Sequence, residues 1–410
     1  MIASNKEKIG SMPELISPAG DWPSLNSAVE SGADAVYFGL KDMNMRFGAG
    51  NFDILELKKV MTFLHKASRR GYLTLNSIVY NGELDKVKRM LNAAVEAGVD
   101  AVILWDMAVL SIAKELGLDI HLSTQASVSN INALKQYADL GVSRVVLARE
   151  CSLSDIKAII VSAREGQIAC DIEVFIHGAM CLSISGRCLL SHEAFRKSAN
   201  RGECIQPCRR EFTIVDECSE SKYRVGEDYI LSAKDLCSIE FLDKLVGSGI
   251  AAFKIEGRMR SPEYVSVVTS AYRRAIDSIG DGTFDGALKK ELMAQIRRTY
   301  NRGFSTGFYF GKSEDFCDDL SQSYKKVYVG EVEGFYKRIG VAKIIVRNET
   351  IHKGQKILIS GKKTPANFAE INEMEIEHIP VSSAEKGESV GVKLPFAVCR
   401  NDKVFLWLET

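Results

Sequence analysis

One phrase, met four times along the chain, constrains it most: AVESGADAVYFG (28–39), AVEAGVDAVILW (94–105), YADLGVSRVVLA (137–148) and LVGSGIAAFKIE (245–256). Each copy ends a helix, reaches a glycine (Gly32, Gly98, Gly141, Gly249) where a left-handed cap is wanted, and enters a short apolar strand. These are helix-to-strand joints. A chain built from such joints is committed to alternating helices and strands.

Between the joints lie further buried-looking strands, ELISP (14–18), YLTLNSIV (72–79), DIHLSTQ (119–125) and DIEVFIHG (171–178), and amphipathic stretches such as residues 54–71 and 84–98 separate several of them. The count comes to eight strands over roughly 260 residues, which matches an α/β fold of the (β/α)8 TIM-like barrel class. A doubly wound open sheet normally has fewer strands and a Gly-rich phosphate loop, which this chain lacks. We place the barrel at residues 1–280.

Successive side chains of a strand alternate, so the strand phase points Glu173, Phe175 and His177 into the barrel. The same counting turns Thr74 and Asn76, then His121, Ser123 and Gln125, and finally Lys254, Glu256 and Arg258 inward. Polar groups rising toward the strand C-termini are where such barrels hold their chemistry. The connection between strands seven and eight, 179–250, is far longer than usual and carries six of the ten cysteines. Residues 281–325 read as a helical linker region. From 326 to 410 short alternating strands with frequent turns predict a small C-terminal β-barrel domain.

Ten cysteines in a chain of this length admit several readings. The N-terminus lacks the apolar run of a signal peptide, and no stretch approaches the roughly 20 apolar residues of a membrane helix. A cytoplasmic location is therefore expected, where disulfides are disfavoured. Cys151, Cys170, Cys218, Cys317 and Cys399 are scattered and suit simple burial. Cys181, Cys188, Cys204, Cys208 and Cys237 share one loop-rich insertion. Only Cys204 and Cys208 have the spacing of a zinc knuckle, and no C-x-x-C dithiol occurs. An iron–sulfur cluster tolerates irregular spacing and needs four thiolates, so it fits four of these five better.

Lysines plus arginines equal aspartates plus glutamates at 53 each, so no global basic field marks a nucleic-acid partner. Locally, Arg187, Arg196, Lys197, Arg201, Arg209 and Arg210 outnumber Glu193 and Glu203, and RRTYNRGFSTGFYFGK (297–312) interleaves arginines with aromatics. That combination joins phosphate contacts to base stacking, although a solvated face explains each run separately. Arg149, Lys254 and Arg258 at strand ends could hold a small carboxylate donor, or form ion pairs with Glu150 and Glu256. His177 is placed to act as general acid–base, or as a hydrogen-bonded barrel residue. Asn76, Asp106 and Gln125 are candidates for positioning substrate.

The string E-x-F-x-x-G-A-M-C-x6-C-L-L-S, carried by Glu173, Phe175, Gly178, Ala179, Met180, Cys181, Cys188 and Ser191, resembles the signature of peptidase family U32, the collagenase-like proteases. ELISPAGDWPSLNSAVESGADAVYFG, HLSTQASVSN, ANRGECIQPCRR, FKIEGRMRSPEYV and the tail beginning VYVGEVEGF resemble it as well, so the likeness spans essentially the whole chain. It implies two kinds of activity: collagen-degrading peptidase, or oxygen-independent hydroxylase with a 4Fe-4S cluster. The branch with this C-terminal domain makes 5-hydroxyuridine at the tRNA wobble position, with prephenate implicated as oxygen donor. The implied partners are tRNA, a small dicarboxylate donor and a related paralogue chain, with no membrane.

Carried onto this sequence, the resemblance implies Cys181, Cys188, Cys204 and Cys237 as cluster ligands, with Cys208 the alternative third. The residues expected to act at the site are His177, Glu173, Arg149, Glu256 and Arg258. For the peptidase alternative, no H-E-x-x-H occurs. A thiol mechanism would have to use Cys181 and His177.

Overall fold

The computed structural model describes residues 12–409 apart from 185–186, 211, 216–221, 226–232 and 312–323, so Cys218 and Cys317 lie outside the described residues. Eight parallel strands form a wall: β1 (Glu14–Ala19), β2 (Ala35–Gly39), β3 (Arg70–Leu75), β4 (Ala101–Leu104), β5 (Ile120–Leu122), β6 (Arg144–Val146), β7 (Asp171–Ala179) and β8 (Ala252–Ile255). Each pairs with the next, and β8 also pairs with β1, which closes the ring. The four joint glycines have φ of 86°, 71°, 100° and 83°, the left-handed region where a Cβ is strained.

Helices α1 (Trp22–Glu30), α2 (Leu57–Lys66), α3 (Leu84–Ala97), α4 (Met107–Glu115), α5 (Ile131–Asp139), α6 (Leu153–Glu165), α7 (Leu242–Val246) and α8 (Pro262–Asp281) cover the wall. Four of these helices, α1, α4, α5 and α6, start at a short polar side chain that caps them. Asp21, Asp106 and Asn130 accept from backbone N–H groups of α1, α4 and α5, and Ser152 with Asp155 forms a capping box on α6.

Inside the ring, Ile16, Tyr37, Tyr72 and Ile103 pack as a buried layer. Below it charge is paired closely. Glu14 accepts from Arg144 at 2.6 Å and from Tyr72 at 2.7 Å, and meets Arg70 at 2.8 Å. Glu173, fully buried, accepts from Lys254 at 2.8 Å and lies 3.7 Å from Arg144.

The last residues of β7 leave the wall and pair antiparallel with the strand Asp235–Cys237, Ala179 opposite Asp235. Asp235 is buried between Arg260 at 2.9 Å and Arg302 at 3.0 Å. The two ends of the long insertion therefore meet. In the segment expected as a helical linker, α9 (Gly286–Arg297) packs on α8, Phe304–Ser305 pairs with Asp235–Leu236, and Tyr309 donates to the Phe175 carbonyl at 2.6 Å.

The C-terminal module is an eight-stranded antiparallel sheet curled about its own core of Val329, Ile344, Ile357, Val390 and Val404. Four neighbouring strands run in the order β11 (Asn367–Glu370), β10 (Lys356–Ser360), β12 (Lys403–Glu409), β9 (Tyr324–Tyr336). Lys326 pairs with Glu263 at 2.8 Å, and Ser27 accepts from the Ala366 N–H at 2.9 Å. These contacts fall on α1 and α8, Glu263 in the first turn of α8 and Ser27 toward the C-terminal end of α1.

Candidate functional site

A cavity of about 310 Å³ opens at the C-terminal ends of the barrel strands. Its floor is made by Tyr37, Thr74, Ser123, Phe175 and Lys254, and its sides by Asn76, Gln125, Arg149, Glu256 and Arg258. The insertion roofs it with Cys181, Cys188, Cys204 and Cys208, and the loop after β2 adds Arg46. This is the end of a (β/α)8 barrel where loops gather side chains from many strands.

Cations dominate. Glu256, with its side chain 14% exposed, lies 3.3 Å from Arg46 and 3.4 Å from Arg149. Burial pushes its carboxyl up, but Arg46, Arg149 and Arg258 outweigh burial and hold it below the ordinary range. Arg149 also donates to the Ala179 carbonyl at 2.7 Å and stacks on Phe175 at 4.0 Å. Arg258 donates to Thr74 at 2.7 Å and Asn44 at 2.9 Å, and burial brings it down to about 10. Asn76 donates to Gln125 at 2.7 Å.

Of the residues expected at the site, Arg149, Glu256 and Arg258 line the cavity. Glu173 lies one step below, in contact with it through Lys254. His177 is a correction. The β7–β8 register slips between Lys254 and Ile255, so Phe175 faces Lys254 while His177 faces Ile255. Alternation fails across such a bulge, and the imidazole turns to the helix side. Its ring packs against Tyr264, Tyr272 and Phe304, and its Nδ1 lies 3.3 Å from the Tyr272 hydroxyl. Burial, helped by Arg260, takes its pKa down to about 3.

The cysteines also regroup. Cys181, Cys188, Cys204 and Cys208 all line the cavity, and burial pushes the Cys208 thiol up, with Cys181, Cys204 and Cys188 adding to the push. Cys237, implied as a ligand, is placed apart from them. It is buried behind β7, 3.8 Å from the Tyr272 hydroxyl and 3.6 Å from the Met293 sulfur, where burial pushes it up to about 11. It sits opposite His177 in the pairing of β7, so the same bulge separates both from the cavity. The Leu190 N–H donates to the Cys188 sulfur at 3.3 Å, and the Ser191 hydroxyl to the Cys204 sulfur at 3.9 Å.

The basic run is less open than its count implies. Arg201 is clamped by Glu83 at 2.6 and 2.7 Å, Arg209 donates to the carbonyls of Met180 and Ala233, and Arg187 donates to the Gln125 carbonyl while stacking on Trp105 at 4.9 Å. Arg196, Lys197 and Arg210 remain exposed, Arg210 over the Phe195 ring at 4.5 Å. Arg46, Tyr37 and Asn44 were not singled out by sequence reasoning. Their only signal is position in β2 or in the loop after it, at the mouth end of a barrel strand.

The sequence profile of peptidase family U32 matches residues 20–317. An uncharacterized protease of Methanocaldococcus jannaschii is 41% identical, covering 97% of this chain and 99% of the relative. A collagenase of Porphyromonas gingivalis is 34% identical, covering 96% and 97%. A tRNA hydroxylation protein of Bacillus subtilis is 35% identical, covering 76% and 74%.

Proposed function

Because this chain belongs to peptidase family U32, we propose that it is an iron–sulfur-dependent RNA hydroxylase, which adds a hydroxyl at carbon 5 of the tRNA wobble uridine without molecular oxygen, with prephenate as oxygen donor. What carries this conclusion is the convergence of four thiols and a group of buried cations on one cavity at the barrel mouth. The likeness to a tRNA hydroxylation protein supports the choice of RNA as substrate.

The donor set fits a 4Fe-4S cluster better than a single ion. A tetrahedral ion with bonds of about 2.3 Å needs its sulfurs gathered tightly. No three Cys, His, Asp or Glu side chains are so gathered among the described residues. A four-iron cluster takes one thiolate at each iron and spaces them more widely. Cys181, Cys188, Cys204 and Cys208 would hold it, with Arg46 and Arg209 offsetting its negative charge. When bound, the cluster supplies one-electron redox chemistry beside the cavity.

The remaining work falls to the chain. Arg149 and Arg258 present guanidinium groups that match carboxylates in a bidentate fashion. Thr74 and Asn44 aim Arg258, and the Ala179 carbonyl aims Arg149. Asn76 and Gln125 offer amide donors and acceptors to the edge of a base entering from the mouth. Glu256, held ionised by its arginines, can accept a proton from the donor or the base at its carboxylate oxygens.

The collagenase relative raises hydrolysis as the rival. A thiol mechanism needs an imidazole within hydrogen-bond reach of Cys181. His177 instead lies on the helix side of β7, and the Cys181 sulfur is 3.1 Å from the Ser183 hydroxyl. The test is anaerobic purification with iron and sulfide analysis, followed by nucleoside analysis of tRNA from a deletion strain. Bound iron and sulfide with loss of 5-hydroxyuridine is the expected result. An iron-free protein that cleaves gelatin and leaves the nucleoside level unchanged would overturn it.

A further inference from the structure

The Gln125 carboxamide has a fixed direction in the cavity wall, set by a chain of hydrogen bonds that begins at the backbone. The Met45 N–H, which can only donate, reaches Asn76 Oδ1 at 3.2 Å. Asn76 must therefore turn its Nδ2 the other way, and it donates to Gln125 Oε1 at 2.7 Å. The Ser123 hydroxyl donates to the same oxygen at 3.2 Å. With Oε1 held by both donors, Gln125 turns its Nε2 away from them.

Gln125 is 5% exposed and lines the cavity. Its Nε2 has no hydrogen-bond partner among the described residues and is not sealed off by them, so its N–H groups are presented to the cavity. The backbone beneath the relay is pinned as well. The Gln125 carbonyl accepts from Arg187 of the roof at 2.6 Å, and the Asn76 carbonyl accepts from the Trp105 indole at 2.9 Å. A buried donor of fixed direction is satisfied by an acceptor and penalised by another donor.

We propose that Gln125 Nε2 selects uridine over cytidine, by donating to the carbonyl oxygen at carbon 4 of the base. The proposal rests on the RNA-hydroxylase reading and names how that same cavity tells the two pyrimidines apart. Carbon 4 carries an oxygen acceptor in uracil, as in thymine, and an amino donor in cytosine. A flipped nucleotide enters the mouth with its ribose trailing. Carbon 4, across the ring from the bond to ribose, then leads into the cavity, while the oxygen at carbon 2 stays near the mouth. Holding carbon 4 also fixes its neighbour carbon 5, the atom to be hydroxylated. Uracil completes the hydrogen bond, whereas cytosine sets N–H against N–H and leaves both groups unpaired.

The test uses the anaerobically purified full chain and a pair of anticodon stem-loops that differ only in carrying uridine or cytidine at the wobble position. Fluorescence anisotropy gives the affinity for each, and nucleoside analysis gives the hydroxylated products from an equal mixture. The unaltered protein should prefer the uridine loop by about tenfold or more. Q125M keeps the length of the side chain without its polar atoms, and should shrink that preference to within about twofold. Q125E presents an acceptor and should reverse it. N76D should reverse it from outside the contact, because its second oxygen draws Gln125 Nε2 toward position 76 and turns Oε1 to the base. Each variant is checked by a thermal melt, and N76D keeps the test valid if a change at 125 misfolds.

An unaltered protein that takes both loops equally overturns the proposal. So does equal weakening of both loops in Q125M and N76D with their ratio kept, since the side chain then supports only the wall or meets the oxygen at carbon 2 that both bases share. Continued hydroxylation of uridine in either case leaves the enzyme reading intact. Absence of binding and of product with the unaltered protein overturns both.

Discussion

His177 supplies a prediction whose sign and size follow from its surroundings. Its ring is 1% exposed, enclosed by three aromatic rings, and its pKa is taken down to about 3 by burial. In the unfolded chain it titrates at about 6.5. Below that value the unfolded state binds a proton that the folded state refuses, so stability present above pH 6.5 is lost as pH falls toward 3. Between pH 7 and pH 5 the loss is about 2 kcal/mol, from 1.36 kcal/mol for each pH unit spent below 6.5.

His177→Phe removes that titration and keeps a ring in the layer. Urea unfolding of both proteins at pH 7 and pH 5 isolates the effect, because every other titrating group is common to them. The stability gap between the two pH values should be about 2 kcal/mol smaller in the variant. RNA hydroxylation by the variant should keep the pH profile of the parent, since the imidazole does not reach the cavity. An unchanged stability gap, or loss of a limb near pH 6–7 from the activity profile, would refute this placement of His177.

Cys208→Ser should lose most of the bound iron and acid-labile sulfide, whereas Cys237→Ser should retain both, as read by elemental analysis after anaerobic purification. Glu173→Gln should destabilise the protein by about 3–5 kcal/mol, because Lys254 and Arg144 are left facing one another in the buried floor. Adding Lys254→Met should recover part of that loss in a double-mutant cycle of urea melts. Gly178→Ala should lower stability by at least about 1–3 kcal/mol, since φ is 109° and a Cβ would lie 2.4 Å from the Glu256 carbonyl oxygen; an unaltered melting curve would refute it.

Much of the barrel is legible in the sequence because its determinants are local. A glycine after a helix and an apolar run after the glycine specify a joint whatever lies elsewhere, and the expected inward positions Thr74, Asn76, Gln125, Lys254, Glu256 and Arg258 line the cavity. His177 is not legible, because one unpaired residue on β7 reverses every side chain beyond it, and a bulge is a relation between two strands. Cys208 and Cys237 fail to sort for a similar reason. Both sit on the same insertion, and only the pairing of Ala179 with Asp235 shows that one end of it turns behind the wall. Arg46 belongs to no motif; it reaches Glu256 only because β2 ends at the mouth.

That pairing has a further consequence. The segment between Ala179 and Asp235 leaves and re-enters the barrel at adjacent points, with Asp235 locked by Arg260 and Arg302. The ends of the segment therefore meet at a narrow neck, whatever the length of chain between them. The molecule is a closed vessel whose stopper is tied at one neck and latched to the rim by Arg201 and Arg187. A roof grafted from one relative to another would need to match at that two-strand neck and at its clamps on the wall, Arg201 on Glu83 and Arg187 on the Gln125 carbonyl.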